Sequence, residues 1–299
     1  VTVQPSLAAR LLFRAMQVLG TKRLLAPQYR KPLIAFHRLK GPSLPGLRTR
    51  MQFRVTDTCV AGTRSLVLTP RRGRVAHEIF YLHGGGFILP ITPFHWRLIR
   101  KLAVRLNARV TVPFYPLAPE NAAPAIWDAV HAAYLDFTAN AEPVPRTVMG
   151  DSSGGNLALS LVQRLRNQGE PMPDRVVLIS PALDLTLSDP RLDAADHRDI
   201  LLDLVGLRHM TANYIKGIAL DDPRLSPLFG GLNDLPPLQV LTGARDLTHV
   251  DALRLRDLAR DAGVPLNFVN FPDMIHVWPA FPIPEARQAI KAMTDFIAS

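Results

Sequence analysis

The residues with the most evident chemistry are Gly150-Asp151-Ser152-Ser153-Gly154-Gly155. The apolar pair Val148-Met149 leads into Gly-x-Ser-x-Gly, and a helical pattern over 156–166 follows at once. That order describes a nucleophile elbow. A serine at the tip of a sharp strand-to-helix turn is held in strained backbone with its hydroxyl exposed. Glycines two residues before and after it let strand and helix approach without a Cβ clash. The helix N-terminus beneath the serine offers free N–H groups and partial positive charge to an oxyanion.

Upstream lies Ile79-Phe80-Tyr81-Leu82, an apolar strand that runs straight into His83-Gly84-Gly85-Gly86-Phe87. Three consecutive glycines leave backbone N–H groups unobstructed, which suits an oxyanion hole, and the N–H after the nucleophile, that of Ser153, suits its second half. A nucleophilic serine also needs a base, and the base an orienting acid. On such a fold the chain order is serine, acid, histidine. Of His197, His209, His249 and His276, only His276 follows a strand near the C-terminus, over 266–271. His197 and His209 fall in a charged helical segment and read as surface or cap residues, and His249, in the loop of Asp246, as a solvated loop residue or one that lines the site. The acid belongs at the end of the preceding strand, over 238–242, which points to Asp246. Asp251 competes, but it opens the helix over 252–262, where an N-cap carboxylate is the ordinary reading.

The elements that must position these residues alternate from residue 54 onward. Segments 53–60 and 64–69 read as an antiparallel opening pair. Helices over 92–106 and 122–140 join later strands, a strand over 175–180 follows the elbow helix, and the last helix covers 285–298. This βαβ rhythm predicts an α/β fold with a mainly parallel central sheet, right-handed crossovers, and catalytic residues at the carboxyl ends of strands. Segments 1–50 and 185–225 break the rhythm, and the second carries Ile200-Leu201-Leu202 and Met210, enough apolar surface to cover a pocket.

His83-Gly84-Gly85-Gly86-Phe87, Tyr115-Pro116-Leu117-Ala118-Pro119-Glu120, the elbow, Asp246 and Met274-Ile275-His276 together resemble the bacterial hormone-sensitive-lipase-like carboxylesterases, which are α/β-hydrolases. The resemblance runs from about residue 79 to the C-terminus. It implies Ser152 as nucleophile, His276 as base, Asp246 as its partner, and an oxyanion hole from the N–H groups of Gly85, Gly86 and Ser153, with His83 shaping the loop. It also implies a helical cap built from 1–50 and 185–225 over a core of 51–184 and 226–299. Three departures stand out. Ser153 replaces the usual alanine. Pro116 replaces the usual arginine, so Glu120 needs another partner. Val277 replaces the usual glycine after the histidine, with Trp278 next. Phe87 and Trp278 are the candidate pocket walls.

The chain has 299 residues and one cysteine, Cys59, so it holds no internal disulfide and a reducing, cytoplasmic compartment is the simplest expectation. No metal-ligand cluster, dinucleotide fingerprint or repeat is visible, and no cofactor is implied. No apolar run reaches the ~20 residues of a membrane span. The net charge is +10, and eleven Lys and Arg with no acid lie in residues 1–54, which leaves the remainder at −1. Along the first helix Arg10, Arg14, Gln17 and Thr21 form a polar stripe, with Leu7, Leu11, Ala15, Val18 and Leu19 opposite. This is a solvated face or a weak contact for an anionic membrane, where each cation contributes ~1 kcal/mol. Nucleic acid is disfavoured because no recognition module is visible. A homodimer stays open. The reading is a serine carboxylesterase for small apolar esters of short to medium chain. A lactone hydrolase with the same triad and a non-catalytic ligand-binding protein on the same fold are the alternatives.

Overall fold

The computed structural model describes residues 4–25 and 27–299; residues 1–3 and 26 of the expected N-terminal segment lie outside the described residues. Three helices come first, α1 (Leu7–Val18), α2 (Pro27–Lys40) and α3 (Leu47–Gln52), then the hairpin β1 (Phe53–Val60) and β2 (Thr63–Pro70). Strands and helices alternate through β3 (His77–Leu82), α4 (Pro93–Leu106), β4 (Ala108–Pro113), α5 (Ala123–Ala139), β5 (Arg146–Asp151), α6 (Ser153–Gln168) and β6 (Arg175–Ile179). Residues 185–225 hold α7 (Arg191–Arg198) and α8 (Leu204–Ile215). The alternation then resumes with β7 (Leu238–Gly243), α9 (His249–Asp261), β8 (Leu266–Phe271) and α10 (Glu285–Ala298).

Among the described residues, eight strands form one sheet in the order β1-β2-β4-β3-β5-β6-β7-β8. The pairs β1–β2 and β2–β4 are antiparallel and the rest parallel. Period-two alternation divides the side chains between two cores. Phe80, Leu82, Val148, Val176, Leu178, Leu238 and Val240 face the side covered by α5, α6 and α9. Ile79, Tyr81, Met149, Val177, Ile179 and Leu241 face α4, α10 and α1. The central strands are buried on both faces and therefore read as near-continuous apolar runs.

Two expectations shift. The strand after the elbow helix ends at Ile179, because Ser180 turns into left-handed backbone at φ +45°. In α1 the face that packs inward is Ala9 and Phe13, while Leu7, Leu11, Val18 and Leu19 are exposed. The helix has more apolar residues than one face can hold, and the small Ala9 permits the close approach that seats Phe13.

Candidate active site

The elbow forms where β5 meets α6. Ser152 sits between them at φ +52° and ψ −121°, backbone that costs energy in any L-residue and survives only when its surroundings over-determine it. The flanking glycines provide that constraint. A Cβ on Gly150 would strike the Gly154 carbonyl, and one on Gly154 would strike that of Leu82. The expected helix start at 156 moves forward to Ser153, directly behind the nucleophile.

Three loops at the carboxyl ends of the strands bring Ser152, His276 and Asp246 together. The Ser152 hydroxyl lies 2.9 Å from His276 Nε2. His276 Nδ1 lies 3.0 and 3.1 Å from the two oxygens of Asp246. With Nδ1–H donating to the carboxylate, Nε2 is the free acceptor for the serine proton. Burial opposes charge on His276, but the Asp246 carboxylate outweighs it and holds the imidazole above its ordinary 6.5. Burial likewise pushes the Asp246 carboxyl up. The His276 charge and hydrogen bond, the Ser180 hydroxyl and the Thr248 N–H together overcome it and hold the group below 3.8. Asp251 does not touch His276. Its Oδ2 instead accepts the N–H groups of Leu183 (2.7 Å) and Asp184 (3.0 Å) and ties α9 to the loop after β6.

The glycine loop follows β3. Gly85, Gly86 and Phe87 all have positive φ, +127°, +60° and +63°. Among the described residues, no acceptor takes the N–H of Gly85 or Gly86. His83 is buried, and its pKa falls to about 4 through that burial, then through the neighbouring His95. Its neutral Nδ1–H donates to the Gly84 carbonyl at 2.7 Å, a shaping role rather than proton transfer. Beneath the loop, buried Asp151 accepts Tyr81 Oη at 2.6 Å and pairs with His95 Nε2 at 3.2 Å.

Helix α8 covers the loop. A Cβ on Gly86 would overlap Met210 Cε, so that side chain rests on the glycine. The Tyr214 ring stacks on Phe87 with centroids 3.8 Å apart, and Trp127 Nε1 donates to Tyr214 Oη at 2.6 Å. Phe87 is therefore buried under Tyr214. Trp278 corrects the expectation of a pocket wall: it is 0 % exposed and packs on Phe271 at 4.4 Å in the core behind His276. Its ring fills the space between β8 and the turn after His276, with Nε1 buried and without a hydrogen-bond partner among the described residues.

Several participants carry no sequence signal. The Ser180 hydroxyl accepts the Val277 N–H at 3.0 Å, which fixes the residue after His276 beside the acid. Asp199 accepts the N–H of Leu247, next to Asp246, at 2.8 Å. Burial, then the Asp246 charge, raises Asp199 to about 6. Arg38 supplies the partner that Glu120 lacks, with paired bonds of 3.0 and 2.9 Å, and also donates to the Ile88 and Ala118 carbonyls. Only the Glu120 vacancy hinted at such a residue. No group of three or more metal-binding side chains occurs among the described residues.

The family defined by the alpha/beta hydrolase fold matches residues 79–280. The chain is 37% identical over 225 residues to an esterase of Acinetobacter venetianus, across 74% of each protein. It is 36% identical over 222 residues to an acetyl-hydrolase of Streptomyces hygroscopicus, across 73% of this chain and 74% of the other. Among solved structures, an esterase/lipase from an uncultured bacterium superposes with a TM-score of 0.84 at 28% identity, covering 98% of both chains. An esterase from the bacterial hormone-sensitive lipase family gives 0.82 at 27%, covering 95% and 96%. The chain belongs to the α/β-hydrolases, in their bacterial hormone-sensitive-lipase-like branch. Its activity is carboxylic ester hydrolysis.

Proposed function

We propose that the chain hydrolyses short- to medium-chain carboxylic esters through an acyl-enzyme on Ser152. The unbroken line Ser152–His276–Asp246 carries this reading. His276 Nε2 takes the serine proton as Oγ attacks the ester carbonyl, and Asp246 holds the tautomer and stabilises the imidazolium. The N–H groups of Gly85, Gly86 and Ser153 receive the oxyanion. Collapse breaks the C–O bond, and the alcohol leaves with the proton from His276. Water then attacks the acyl-enzyme by the same steps and frees the acid and Ser152.

Residues 1–50 and 185–225 act as one cap in this reading. Thr21 Oγ1 donates to the Ile200 carbonyl at 3.1 Å, and Lys22 pairs with Asp196 at 2.9 Å, which joins the two segments. Met210 and Tyr214 crowd the oxyanion loop from the cap side and favour short acyl groups. A lactone would use the same residues, and its ring opening would leave the alcohol tethered to the acyl group. The exposed Leu7, Leu11, Val18 and Leu19 beside Arg10 and Arg14 support a weak contact of α1 with anionic membrane. Co-sedimentation favouring anionic over neutral vesicles at low salt is the expected result; equal binding removes that contact. The single cysteine suits the cytoplasm.

The test is hydrolysis of p-nitrophenyl esters from acetyl to palmitoyl, with a lactone panel alongside. Activity concentrated on the shorter esters and absent from Ser152→Ala is expected. A preference for palmitate removes the chain-length reading, and a preference for lactones replaces the open-ester one.

A further inference from the structure

The Ser153 side chain is the one departure within the elbow itself, and it is 1 % exposed. Its Oγ accepts the Phe87 N–H at 3.2 Å, across from α6 to the glycine loop. Phe87 is a bulky residue in left-handed backbone, directly after two glycines of positive φ. Such a conformation persists only when neighbours hold it. The peptide groups of Phe87 are held on both sides: the N–H by Ser153, and the carbonyl by the Ala118 N–H at 2.9 Å. At the other end of the loop, the His83 carbonyl accepts Tyr115 Oη. The loop is thus pinned at its first and last residues, and between them the Gly85 carbonyl accepts the Ile88 and Leu89 N–H groups at 3.1 and 2.9 Å, which leaves Gly86 next to the Phe87 anchor.

The hydroxyl's remaining partner is the Tyr115 hydroxyl, itself bound to the His83 carbonyl at the start of the same loop. His276 is engaged with Ser152, so Ser153 lacks a base, and its burial keeps it from substrate. We propose that the Ser153 hydroxyl is a positioning group that acts through Phe87 to hold the Gly85 and Gly86 N–H groups in register with the oxyanion. The proposal rests on the acyl-enzyme reading. It assigns the side chain a task distinct from that of its own backbone N–H. Alanine, usual at this position in the resembled family, leaves the Phe87 N–H buried without its acceptor in this chain.

The test compares Ser153→Ala and Ser153→Cys with wild type. Cysteine leaves no cavity, its sulfur being larger than the oxygen it replaces, but is a weak acceptor, which separates the hydrogen bond from a cavity defect. Each protein is assayed for kcat and KM on p-nitrophenyl butyrate, and for affinity for an alkyl boronic acid, whose tetrahedral adduct occupies the oxyanion hole. The ester carbonyl gains its charge only in the transition state, so the loss falls on kcat and not on KM. Both variants are expected to lose about ten-fold in kcat and in boronate affinity together, with KM within about two-fold. Boronate affinity and kcat within about two-fold of wild type in Ser153→Ala overturn the proposal. So does a Ser153→Cys protein that matches wild type while alanine fails, because the effect is then one of volume. Ser152→Ala is the separate control. If it retains ester hydrolysis, the acyl-enzyme reading fails. If it is dead and Ser153→Ala is intact, only the present inference fails.

Discussion

Asp251→Asn should stabilise the protein at alkaline pH relative to its effect in acid, and leave ester hydrolysis intact. Asp251 is 6 % exposed, and burial pushes its carboxyl up from 3.8 to about 7 against the pull of the Leu183 and Asp184 N–H groups. The folded state therefore holds this proton more tightly than the unfolded state. Protonation favours folding, so stability falls as pH rises from the unfolded value near 4 to the folded value near 7, and is flat above. The whole span amounts to ~4 kcal/mol, and most of it, ~3 kcal/mol, falls between about pH 5 and about pH 8. Asparagine keeps a carbonyl oxygen for the two N–H groups and has nothing to ionise. Any offset from its new NH₂ is the same at both pH values and cancels in the difference. Urea unfolding of wild type and variant at about pH 5 and about pH 8 should show the variant gaining ~3 kcal/mol on wild type between them. An equal offset at both pH values refutes the argument. The same protein checks the site: kcat/KM should stay within about three-fold of wild type, since Asp251 does not touch His276, and a collapse of activity would return Asp251 to candidacy as the acid.

Asp246→Asn should lower kcat by ~10⁴ without unfolding the protein, because the amide favours the wrong imidazole tautomer; a loss below about ten-fold contradicts the assignment. Since His276 must be neutral to accept the serine proton, and Asp246 holds it above 6.5, kcat/KM in wild type should rise with pH through a value above 6.5. The Asp246→Asn limb should lie at lower pH, and an unmoved limb assigns the titration to another group. Gly86→Ala should cost ~10² in kcat from left-handed strain and displacement of an oxyanion donor. Met210→Ala in the same chain should recover part of it, and no recovery contradicts the seating of α8 on the loop.

The elbow, the glycine loop and the convergence of Ser152, His276 and Asp246 were legible because each combines a fixed local spacing with the end of a buried strand. The choice of Asp246 over Asp251 followed from that placement, and the structure shows the reason: a carboxylate at the strand end faces the histidine loop, whereas one at the helix start faces inward to the loop after β6. The burial of α1 was not legible, because Leu7, Leu11, Ala9 and Phe13 offer two apolar faces and only the core beneath α4 and α10 selects between them. Trp278 looked like a wall because it follows the base by two residues. A left-handed Val277 at φ +50° turns the chain back, and the indole falls into the core. Ser180, Asp199 and Arg38 reach the site across long stretches of sequence, through hydrogen bonds that leave no periodicity behind. Pro116 and Glu120 came nearest to a warning, since an unpaired acid in a known motif asks for a cation from elsewhere.

The most direct measurement is the mass of the intact protein after rapid mixing with p-nitrophenyl butyrate and acid quench, followed by peptide mapping. A butyryl adduct on the peptide containing Ser152, accumulating in Asp246→Asn or wild type and missing from Ser152→Ala, is the predicted result. Ester turnover with no adduct on Ser152 under any quench, or an adduct that persists in Ser152→Ala, would contradict the account.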